Sequence, residues 1–309
     1  MIGLRGALAE YLSMRRALGF KLRYHGQVLP HFVSFLERQG ISHITTELAL
    51  LWANQPKGIE AVVCASRLSM VRSFAQYRSA ADPKTEIPPQ GLLPARRLRK
   101  PPYIYSDAEV SRLMRAAGQL HSGTGLRPRT YVALLGLLAA TGMRVHEAIA
   151  LNHEDVDLRA GILAIRHTKF GKSRLIPIHP SNQRALQEYS DFRNKVHPLP
   201  KAPSFFLSER ATRLCDGNVH LTFIRLRCRV GLQNSSGQRS PRLHDLRHRF
   251  AVRTLLRWYR TGVDVEQALP RLSAYLGHTR VTDTYWYLST VPELMQLVSK
   301  KLDHLSGGL

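Results

Sequence analysis

The stretch that decides the fold of this 309-residue sequence is Thr130–Leu151, TYVALLGLLAATGMRVHEAIAL. Residues 130–140 are almost all apolar. A helix that is apolar all round is buried, so we predict that this one lies at the centre of a core. Thr141 and Gly142 end the helix, because glycine is favoured just after a helix C-terminus. A second helix is predicted to begin at Arg144, which puts a charged segment directly after the buried one.

The elements that flank this stretch are mostly helical, with one region of strand. Ser106 and Glu109 have the spacing of a capping box, which predicts that a helix begins there. Residues 161–178 alternate between apolar and polar around a Lys-Phe-Gly-Lys turn, as two paired strands do, and Pro177 indicates a sheet edge. Further helices are predicted at about 181–196, 216–230, 243–260, 265–276 and 292–305. Residues 103–309 are therefore predicted to form a mixed α/β domain.

The N-terminal part of the chain has a different pattern. Residues 1–81 carry apolar side chains at helical spacing in about four segments, which predicts a small helical bundle. Residues 82–102 are rich in proline and carry a basic cluster, which predicts a linker. This linker either follows a nucleic-acid backbone or is an ordinary exposed connector. The predicted fold class is mainly α with a small β-sheet, in two domains joined at residues 82–102.

The charge balance points to a polyanionic partner. The chain has 45 Lys and Arg residues against 22 Asp and Glu residues, a net charge of +23. The excess is spread over both parts: residues 1–102 are net +9 and residues 103–309 are net +14. Nucleic acid is favoured as the partner over an acidic membrane surface. Two basic domains suggest a clamp that contacts phosphates from two sides, although such contacts do not read base sequence.

Several other classes of protein do not fit this sequence. No run of 18 uncharged apolar residues occurs, and the first 15 residues lack the apolar core of a signal peptide, so a membrane span and export are not expected. Cys64, Cys215 and Cys228 form no CxxC pair, which disfavours a disulfide framework or a cysteine zinc site. The absence of HExxH, of an acidic cluster and of a GxxxxGK[ST] loop disfavours metal-dependent hydrolysis and nucleotide hydrolysis.

Four short stretches carry the side chains that phosphodiester chemistry needs. They are TGMRVHE at 141–147, the turn at Lys169, HDLRH at 244–248, and LGH at 276–278 followed by Tyr287. Arginine donates two hydrogen bonds to phosphate oxygens and keeps its charge, so Arg144 and Arg247 are suited to stabilising a phosphorane. His244 and Arg247 are three residues apart and share a helix face.

At these points the chain resembles the tyrosine recombinase (phage integrase) superfamily. The order Arg…Lys…His-x-x-Arg…His…Tyr matches the family signature over about 150 residues, and nine residues separate the last histidine from the tyrosine, as in the family. The resemblance implies a set of six catalytic residues: Arg144, Lys169, His244, Arg247, His278 and Tyr287. It also implies an N-terminal core-binding domain and a C-terminal catalytic domain.

The resemblance assigns a role to several of these residues. Lys169, preferred over Lys172, protonates the leaving 5′ oxygen, and His278 hydrogen-bonds the phosphate. Tyr287 is the nucleophile, and no metal or ATP is required because a phosphotyrosine stores the bond energy. Tyr285 competes with Tyr287 on chemical grounds, and only the spacing from His278 selects Tyr287. Of the remaining polar residues, Glu147 is interpreted as bracing the site, and Asp245 and His248 are interpreted as structural or supporting.

The resemblance further implies how the protein works as an assembly. The partner is double-stranded DNA with inverted-repeat core sites, bound by a homotetramer on two sites, with hetero-assembly among related recombinases as a further possibility. Strand exchange passes through a Holliday junction, and the tail helix within 292–309 docks either on a neighbouring protomer or in cis. We expect a cytoplasmic, nucleoid-associated bacterial protein, more similar to mobile-element members than to chromosome-dimer resolvases.

Two alternatives remain open from the sequence. One is a type IB topoisomerase-like enzyme, which shares this chemistry but relaxes supercoils without joining partners. The other is a non-catalytic accessory DNA-binding protein of the same fold, against which the complete set of six residues argues.

Overall fold

A computed structural model of the chain describes residues 3–55, 58–94, 101–166, 173–232, 240–290 and 294–295. The chain divides into two units, Met1–Lys100 and Pro101–Leu309. Among the described residues, no helix is both long enough and apolar enough to cross a bilayer.

The first unit is a bundle of four helices. They are α1 (Leu4–Ala17), α2 (Arg23–Arg38), α3 (Thr46–Asn54) and α4 (Ala61–Arg78). Thr45 caps α3, because its hydroxyl accepts a hydrogen bond from the backbone N–H of Leu48. The core is built from one apolar stripe of each helix, with Phe32, Trp52 and Phe74 among its buried aromatic rings.

The proline-rich segment after α4 makes hydrogen bonds with the helical bundle. The Arg72 guanidinium donates to the backbone carbonyls of Pro88 and Pro89, and the backbone N–H of Glu86 donates to the carbonyl of Ile44. The part of the predicted linker that the structure describes before residue 95 thus lies against the helical bundle.

The second unit begins with the predicted capping box. The Ser106 hydroxyl accepts from the backbone N–H of Glu109, and the Glu109 carboxylate accepts from the backbone N–H of Ser106. Three helices follow: α5 (Asp107–Gly118), α6 (Leu126–Thr141) and α7 (Val145–Ala150). Helix α6 begins four residues before the predicted apolar stretch, and from Thr130 onward it is buried on nearly every side, as the sequence of residues 130–140 predicts. Gly142 ends the helix in the left-handed conformation with φ +61°.

A small antiparallel sheet follows α7. Its strands are β1 (Val156–Asp157), β2 (Ile162–Ile165) and β3 (Arg174–Pro177), in the order β1-β2-β3. Ile162 pairs with Pro177 and Ile165 with Arg174, so β2 and β3 are the predicted strand pair. The sequence did not predict β1, because a strand of two residues is too short to show alternation.

The rest of the second unit is helical. The helices are α8 (Pro180–Val196), α9 (Asp216–Arg229), α10 (Asp245–Arg260), α11 (Val265–Leu276) and α12 (Thr282–Thr290). The predicted list had omitted α12 as a separate element. The tail helix expected at 292–305 lies outside the described residues except for Leu294 and Met295, which are helical.

Helix α10 joins two apolar clusters of the second unit. Leu246, in its first turn, belongs to the large cluster around α6, and Leu255, further along, packs with α11 and α12. The residues of the first two turns of α10, which include the predicted catalytic residue Arg247, therefore lie where the two clusters meet.

Candidate active site

Arg247 is held by the C-terminal ends of two other helices. Its side chain lies on α10, and the residue is 3% exposed. Nη1 donates to the carbonyl of Gly142 at 2.9 Å, and Nη2 donates to the carbonyl of Leu276 at 2.8 Å. These carbonyls lie at the ends of α6 and α11, where the helix dipole favours a cation. The two bonds use two of the five N–H donors of the guanidinium.

The surroundings of Arg247 make its charge costly. Burial lowers its pKa, the neighbouring Arg144 and Arg174 guanidinium groups lower it further, and Tyr287 and Glu147 oppose them, so the pKa falls to about 10. Arg247 is still charged at neutral pH. A buried cation next to other cations is stabilised by an anion, so this position favours binding of a negatively charged group.

Arg144 reaches the same end of α11 from a different helix. It precedes α7, and its Nη2 donates to the carbonyl of Gly277 at 2.9 Å. Its Nη1 donates to the Glu147 carboxylate at 2.8 Å, and its backbone N–H donates to the other oxygen of Glu147 at 2.9 Å. The two predicted arginines are thus anchored on consecutive carbonyls, those of Leu276 and Gly277.

Glu147 is a buried carboxylate shared between two arginines. Besides Arg144, it accepts two hydrogen bonds from Arg174, at 3.1 and 2.8 Å. Burial raises the pKa of Glu147, but the hydrogen bonds from Arg174 and Arg144 outweigh it and hold the pKa below its ordinary value. Glu147 therefore stays ionised and fixes both guanidinium groups.

Arg174 connects the sheet to the end of α11. It is the first residue of β3, and its Nε donates to the carbonyl of Tyr275 at 2.9 Å. Its guanidinium lies against Gly277, where an added Cβ would come within 2.8 Å of Nη1. Gly277 has φ +68° and ends α11, so glycine is needed both for the turn and for this close approach.

The predicted histidines contact residues of two different helices. His278 follows Gly277, and its Nδ1 is 2.7 Å from the Thr284 hydroxyl. His244 is exposed at the beginning of α10, with its ring centroid 4.9 Å from that of His248. His248 in turn contacts the Tyr287 ring, at a centroid distance of 5.5 Å.

Tyr287 and Tyr285 have opposite environments on α12. Tyr287 is 2% exposed, and its hydroxyl lies 2.8 Å from Nδ1 of His248. Tyr285 is 46% exposed. Residues two positions apart on a helix point in directions about 200° apart, so only one of these tyrosines can point to the arginines. Tyr287 is close enough to Arg247 to affect its pKa.

Lys169 lies outside the described residues, in the segment 167–172 that joins β2 to β3. The two strands on either side of this segment are described, and the second of them begins with Arg174. The assignment of Lys169 as the general acid therefore stays a prediction from the resemblance.

Residues 105–293 of the chain match the family model described as phage integrase family. The chain belongs to this family. It is a site-specific tyrosine recombinase, an enzyme that breaks and rejoins DNA strands. This assignment favours recombination over the topoisomerase-like and non-catalytic alternatives.

Relatives of the recombinase match it over nearly its whole length. A protein of Sinorhizobium fredii named integrase/recombinase y4rB is 47% identical over 304 residues, which cover 97% of this chain and 96% of the relative. A second protein of that organism, named integrase/recombinase y4rE, is 35% identical, with 97% and 95% covered. The tyrosine recombinase XerC of Chlamydia caviae is 29% identical, with 93% and 94% covered.

Solved structures share the fold at low sequence identity. A lambda integrase tetramer bound to a Holliday junction matches with a TM-score of 0.62 at 20% identity, covering 91% of this chain and 79% of that chain. The Tn1549 transposon integrase bound to transposon right-end DNA matches with a TM-score of 0.63 at 15% identity, with 99% and 100% covered. XerA recombinase gives 0.52 at 22% identity, with 96% and 98% covered. These matches confirm the predicted fold class.

Sequence reasoning missed the role of Arg174 in the site. The alternation of β3 carried the signal, because Ile176 is buried and Arg174, two residues earlier, points to the same side, whereas Leu175 is 65% exposed. A charged residue on the inward side of a strand indicates a buried partner, which is Glu147.

Proposed function

We propose that this recombinase cuts and rejoins duplex DNA through a 3′-phosphotyrosyl intermediate on Tyr287. The observation that carries the proposal is that two arginines are anchored on consecutive carbonyls, Arg247 on that of Leu276 and Arg144 on that of Gly277. This arrangement brings two guanidinium groups together beside the helix that carries Tyr287. Their remaining N–H donors are suited to the two non-bridging oxygens of one phosphate.

The charges of this cluster fit a phosphate in the transition state. Arg144, Arg174 and Arg247 are three cations, and Glu147 is the one carboxylate that the described contacts place among them. The surplus of two positive charges matches the two negative charges of a dianionic phosphorane. Groups fixed before the reaction stabilise such charge without reorganising, which is the most effective form of electrostatic catalysis.

The other predicted residues complete the reaction. Tyr287 attacks phosphorus, Lys169 protonates the leaving 5′ oxygen, and His244 and His278 donate hydrogen bonds to the phosphate. The 5′-hydroxyl of a partner duplex then attacks the phosphotyrosine and restores Tyr287. The phosphotyrosyl bond keeps the energy of the broken phosphodiester, so the reaction uses neither ATP nor a metal ion.

Strand exchange between two duplexes requires more than one protomer. We infer a homotetramer on two DNA sites with inverted-repeat core sequences, acting through a Holliday junction in the bacterial cytoplasm. The lambda integrase tetramer bound to a Holliday junction, which shares this fold, supports the inference. The net charges of +9 and +14 support a clamp of two DNA-binding domains. The match to the Tn1549 transposon integrase supports a role in a mobile element.

Covalent capture of DNA tests the proposal. Sheared genomic DNA of the source organism is incubated with the protein, and protein-linked fragments are recovered on a filter and sequenced. The fragments define the captured site, which is then prepared as a nicked duplex that traps the covalent intermediate. Wild type and Tyr285→Phe are expected to form the adduct, and Tyr287→Phe is expected to form none.

Three results would count against the proposal. The absence of any protein-linked DNA with wild type contradicts covalent catalysis. An adduct that persists in Tyr287→Phe and disappears in Tyr285→Phe would show that Tyr285, and not Tyr287, is the nucleophile. Adducts spread evenly over the genome, without a shared inverted repeat, contradict the proposed inverted-repeat core sites.

A further inference from the structure

The hydroxyl of Tyr287 has a close imidazole partner. Nδ1 of His248 lies 2.8 Å from the Tyr287 hydroxyl, which is hydrogen-bond distance. His248 lies on α10 one residue after Arg247, and the His248 side chain is only 13% exposed. One helix therefore carries both a phosphate-binding arginine and a group in contact with the nucleophile.

A carboxylate lies on the other side of the same ring. Oδ1 of Asp245 is 3.9 Å from Nε2 of His248, which is longer than a hydrogen bond but within reach of electrostatic interaction. Asp245 is 1% exposed. Its carboxylate accepts hydrogen bonds from the backbone N–H of Arg242, at 2.7 Å, and from the Arg242 guanidinium, at 3.0 Å. A carboxylate next to Nε2 favours the tautomer with its proton on Nε2. Nδ1 is then the nitrogen that accepts a proton.

We propose that His248 is the general base that activates Tyr287. The sequence of groups is nucleophile, imidazole, then carboxylate, which is the arrangement that activates hydroxyl nucleophiles in other covalent enzymes. This proposal rests on the proposed function, because it assigns the proton acceptor for the same reaction. It changes the interpretation of His248, which the sequence had indicated only as structural or supporting.

The step balances in atoms and charge. The Tyr287 hydroxyl proton moves to Nδ1 of His248 as the phenol oxygen bonds to phosphorus. The bond from phosphorus to the 5′ oxygen breaks, and that oxygen takes a proton from the general acid, for which Lys169 is proposed. In the rejoining step a 5′-hydroxyl attacks phosphorus and gives its proton back to the same general acid. The bond from phosphorus to the Tyr287 oxygen breaks, and that oxygen takes the proton held by His248.

The charged groups around His248 fit this role. On α10 the ring faces the carboxylate of Asp245 and the ring of His244, and on α12 it faces Tyr287. Asp245 stabilises the imidazolium that forms when His248 takes the proton. The Arg247 guanidinium is close enough to Tyr287 to stabilise the developing phenolate. The proton transfer is therefore supported at both of its ends.

The test uses two nicked duplexes of the captured site that differ in one atom. One has the natural bridging 5′ oxygen, and the other has a bridging 5′ sulfur, which leaves without protonation. The variants are His248→Asn, which keeps a hydrogen-bonding group where Nδ1 was but cannot take a proton, and His248→Ala, which removes both. His220→Ala, an exposed histidine on α9, is the matched control.

We expect both His248 variants to form the adduct roughly 100-fold or more slowly than wild type on both duplexes. Their rates are expected to rise with pH, because hydroxide in solution replaces the missing base. DNA affinity is expected to stay within a few fold of wild type, and the control is expected to react at the wild-type rate. Lys169→Ala is expected to recover on the sulfur duplex, whereas the His248 variants are not.

Three outcomes would overturn the proposal. A wild-type rate for His248→Asn would show that the hydrogen bond of His248 only positions Tyr287 and that His248 takes no proton. Recovery of the His248 variants on the sulfur duplex would place His248 on the leaving-group side. Equal losses of DNA binding and of adduct formation would make His248 a binding residue. All three require that wild type forms the adduct, so each differs from a failure of the proposed function itself.

Discussion

At the scale of single residues, the site is a set of arginines held in place before substrate arrives. Arg247 and Arg144 each use backbone carbonyls as anchors, and Arg144 and Arg174 also share Glu147. A long side chain that is already fixed loses little conformational entropy when it binds phosphate. The contribution of these groups is therefore expected in the rate of cleavage more than in DNA affinity.

Replacing either phosphate-binding arginine tests this separation. Arg144→Ala and Arg247→Ala are each expected to lower the rate of adduct formation by about 100–1000-fold, the usual cost of losing a preorganised donor. Filter binding to the captured site should change by only a few fold. Arg257→Ala, at an exposed position on the same helix as Arg247, serves as the control. Parallel losses in binding and cleavage would make these arginines general phosphate contacts.

The shared carboxylate leads to a prediction about pH. The folded-state pKa of Glu147 lies below the ordinary value of 4.5, so its stabilisation is fully present above pH 4.5 and is lost as the pH falls through the lower folded-state pKa. Glu147→Gln is expected to reduce the free energy of unfolding at pH 7 by about 3 kcal/mol, because it leaves the partly buried guanidinium groups of Arg144 and Arg174 without their anion. The difference from wild type should shrink toward acidic pH.

Urea unfolding across that pH range measures this effect. Glu154→Gln removes an exposed carboxylate that lies only seven residues away, and it should keep the wild-type dependence on pH. If Glu147→Gln were as stable as wild type at pH 7, the arginines would not depend on this carboxylate.

The sequence predicts the identities of the site residues better than their partners. Spacing from His278 selects Tyr287, and this assignment stays a prediction. In the structure Tyr287 is buried beside Arg247, whereas Tyr285 is exposed. The role of Arg174 and the contact of His248 with Tyr287 were not predicted, because both contacts join elements that are far apart in the chain. Such contacts depend on tertiary packing, which local patterns do not contain.

At the scale of elements, two helix C-termini build the site. Helices α6 and α11 both end in a left-handed glycine, Gly142 and Gly277, and the carbonyls at these two ends accept hydrogen bonds from Arg247 and Arg144. The turn after each helix therefore has two functions. It ends the helix, and it presents carbonyl oxygens that anchor the arginines.

Gly142→Ala tests the importance of this turn. An alanine there has an unfavourable φ, and its Cβ would lie 2.6 Å from Cδ1 of Phe250. We expect a loss of about 2–4 kcal/mol in the free energy of unfolding, from the backbone strain and the overpacking together, and a slower cleavage reaction. Gly262 at the end of α10 has φ +72° with nothing within 4 Å of an added Cβ.

The matched variant Gly262→Ala thus has the backbone strain without the contact, and it should lose only about 1–2 kcal/mol and cleave at the wild-type rate. Equal destabilisation of the two variants would show that the approach of Phe250 to Gly142 is unimportant.

Helix and strand positions follow from the sequence wherever local chemistry is strong. The capping box at Ser106, the apolar part of α6 and the β2–β3 pair are found where they were predicted, whereas α6 begins four residues earlier, at Leu126. The strand β1 was missed because two residues are too few to show the alternation of apolar and polar side chains. Helix α12 was missed as a separate element because its apolar pattern is weak. Local propensity is sufficient for long elements, and short elements depend on their neighbours.

At the scale of the whole molecule, the net charge of +23 is far larger than the site needs. The cations placed in the site are few, and most of the surplus lies elsewhere on both units. Contacts between such charges and DNA phosphates release counterions, so DNA affinity depends steeply on salt. The net charge is therefore expected to determine how tightly the protein binds DNA, and the residues of the site are expected to determine how fast the bound DNA is cleaved.

Salt dependence tests this division. With about 6–10 phosphate contacts, affinity for a duplex of the captured site is expected to fall by about 10³–10⁵-fold between 50 and 200 mM salt. The rate of adduct formation at saturating protein should change little, because the arginines of the site are already fixed by protein groups. A cleavage rate that fell in proportion to affinity at saturating protein would contradict this prediction.

The central claim is that Tyr287 is the residue that bonds to DNA, and mapping the trapped adduct tests it most directly. One tryptic peptide, residues 281–300, contains both Tyr285 and Tyr287, so fragment ions in a mass spectrum must locate the attached nucleotide. The account predicts that the nucleotide remnant is on Tyr287. A remnant on Tyr285, or on any residue outside α12, would contradict it.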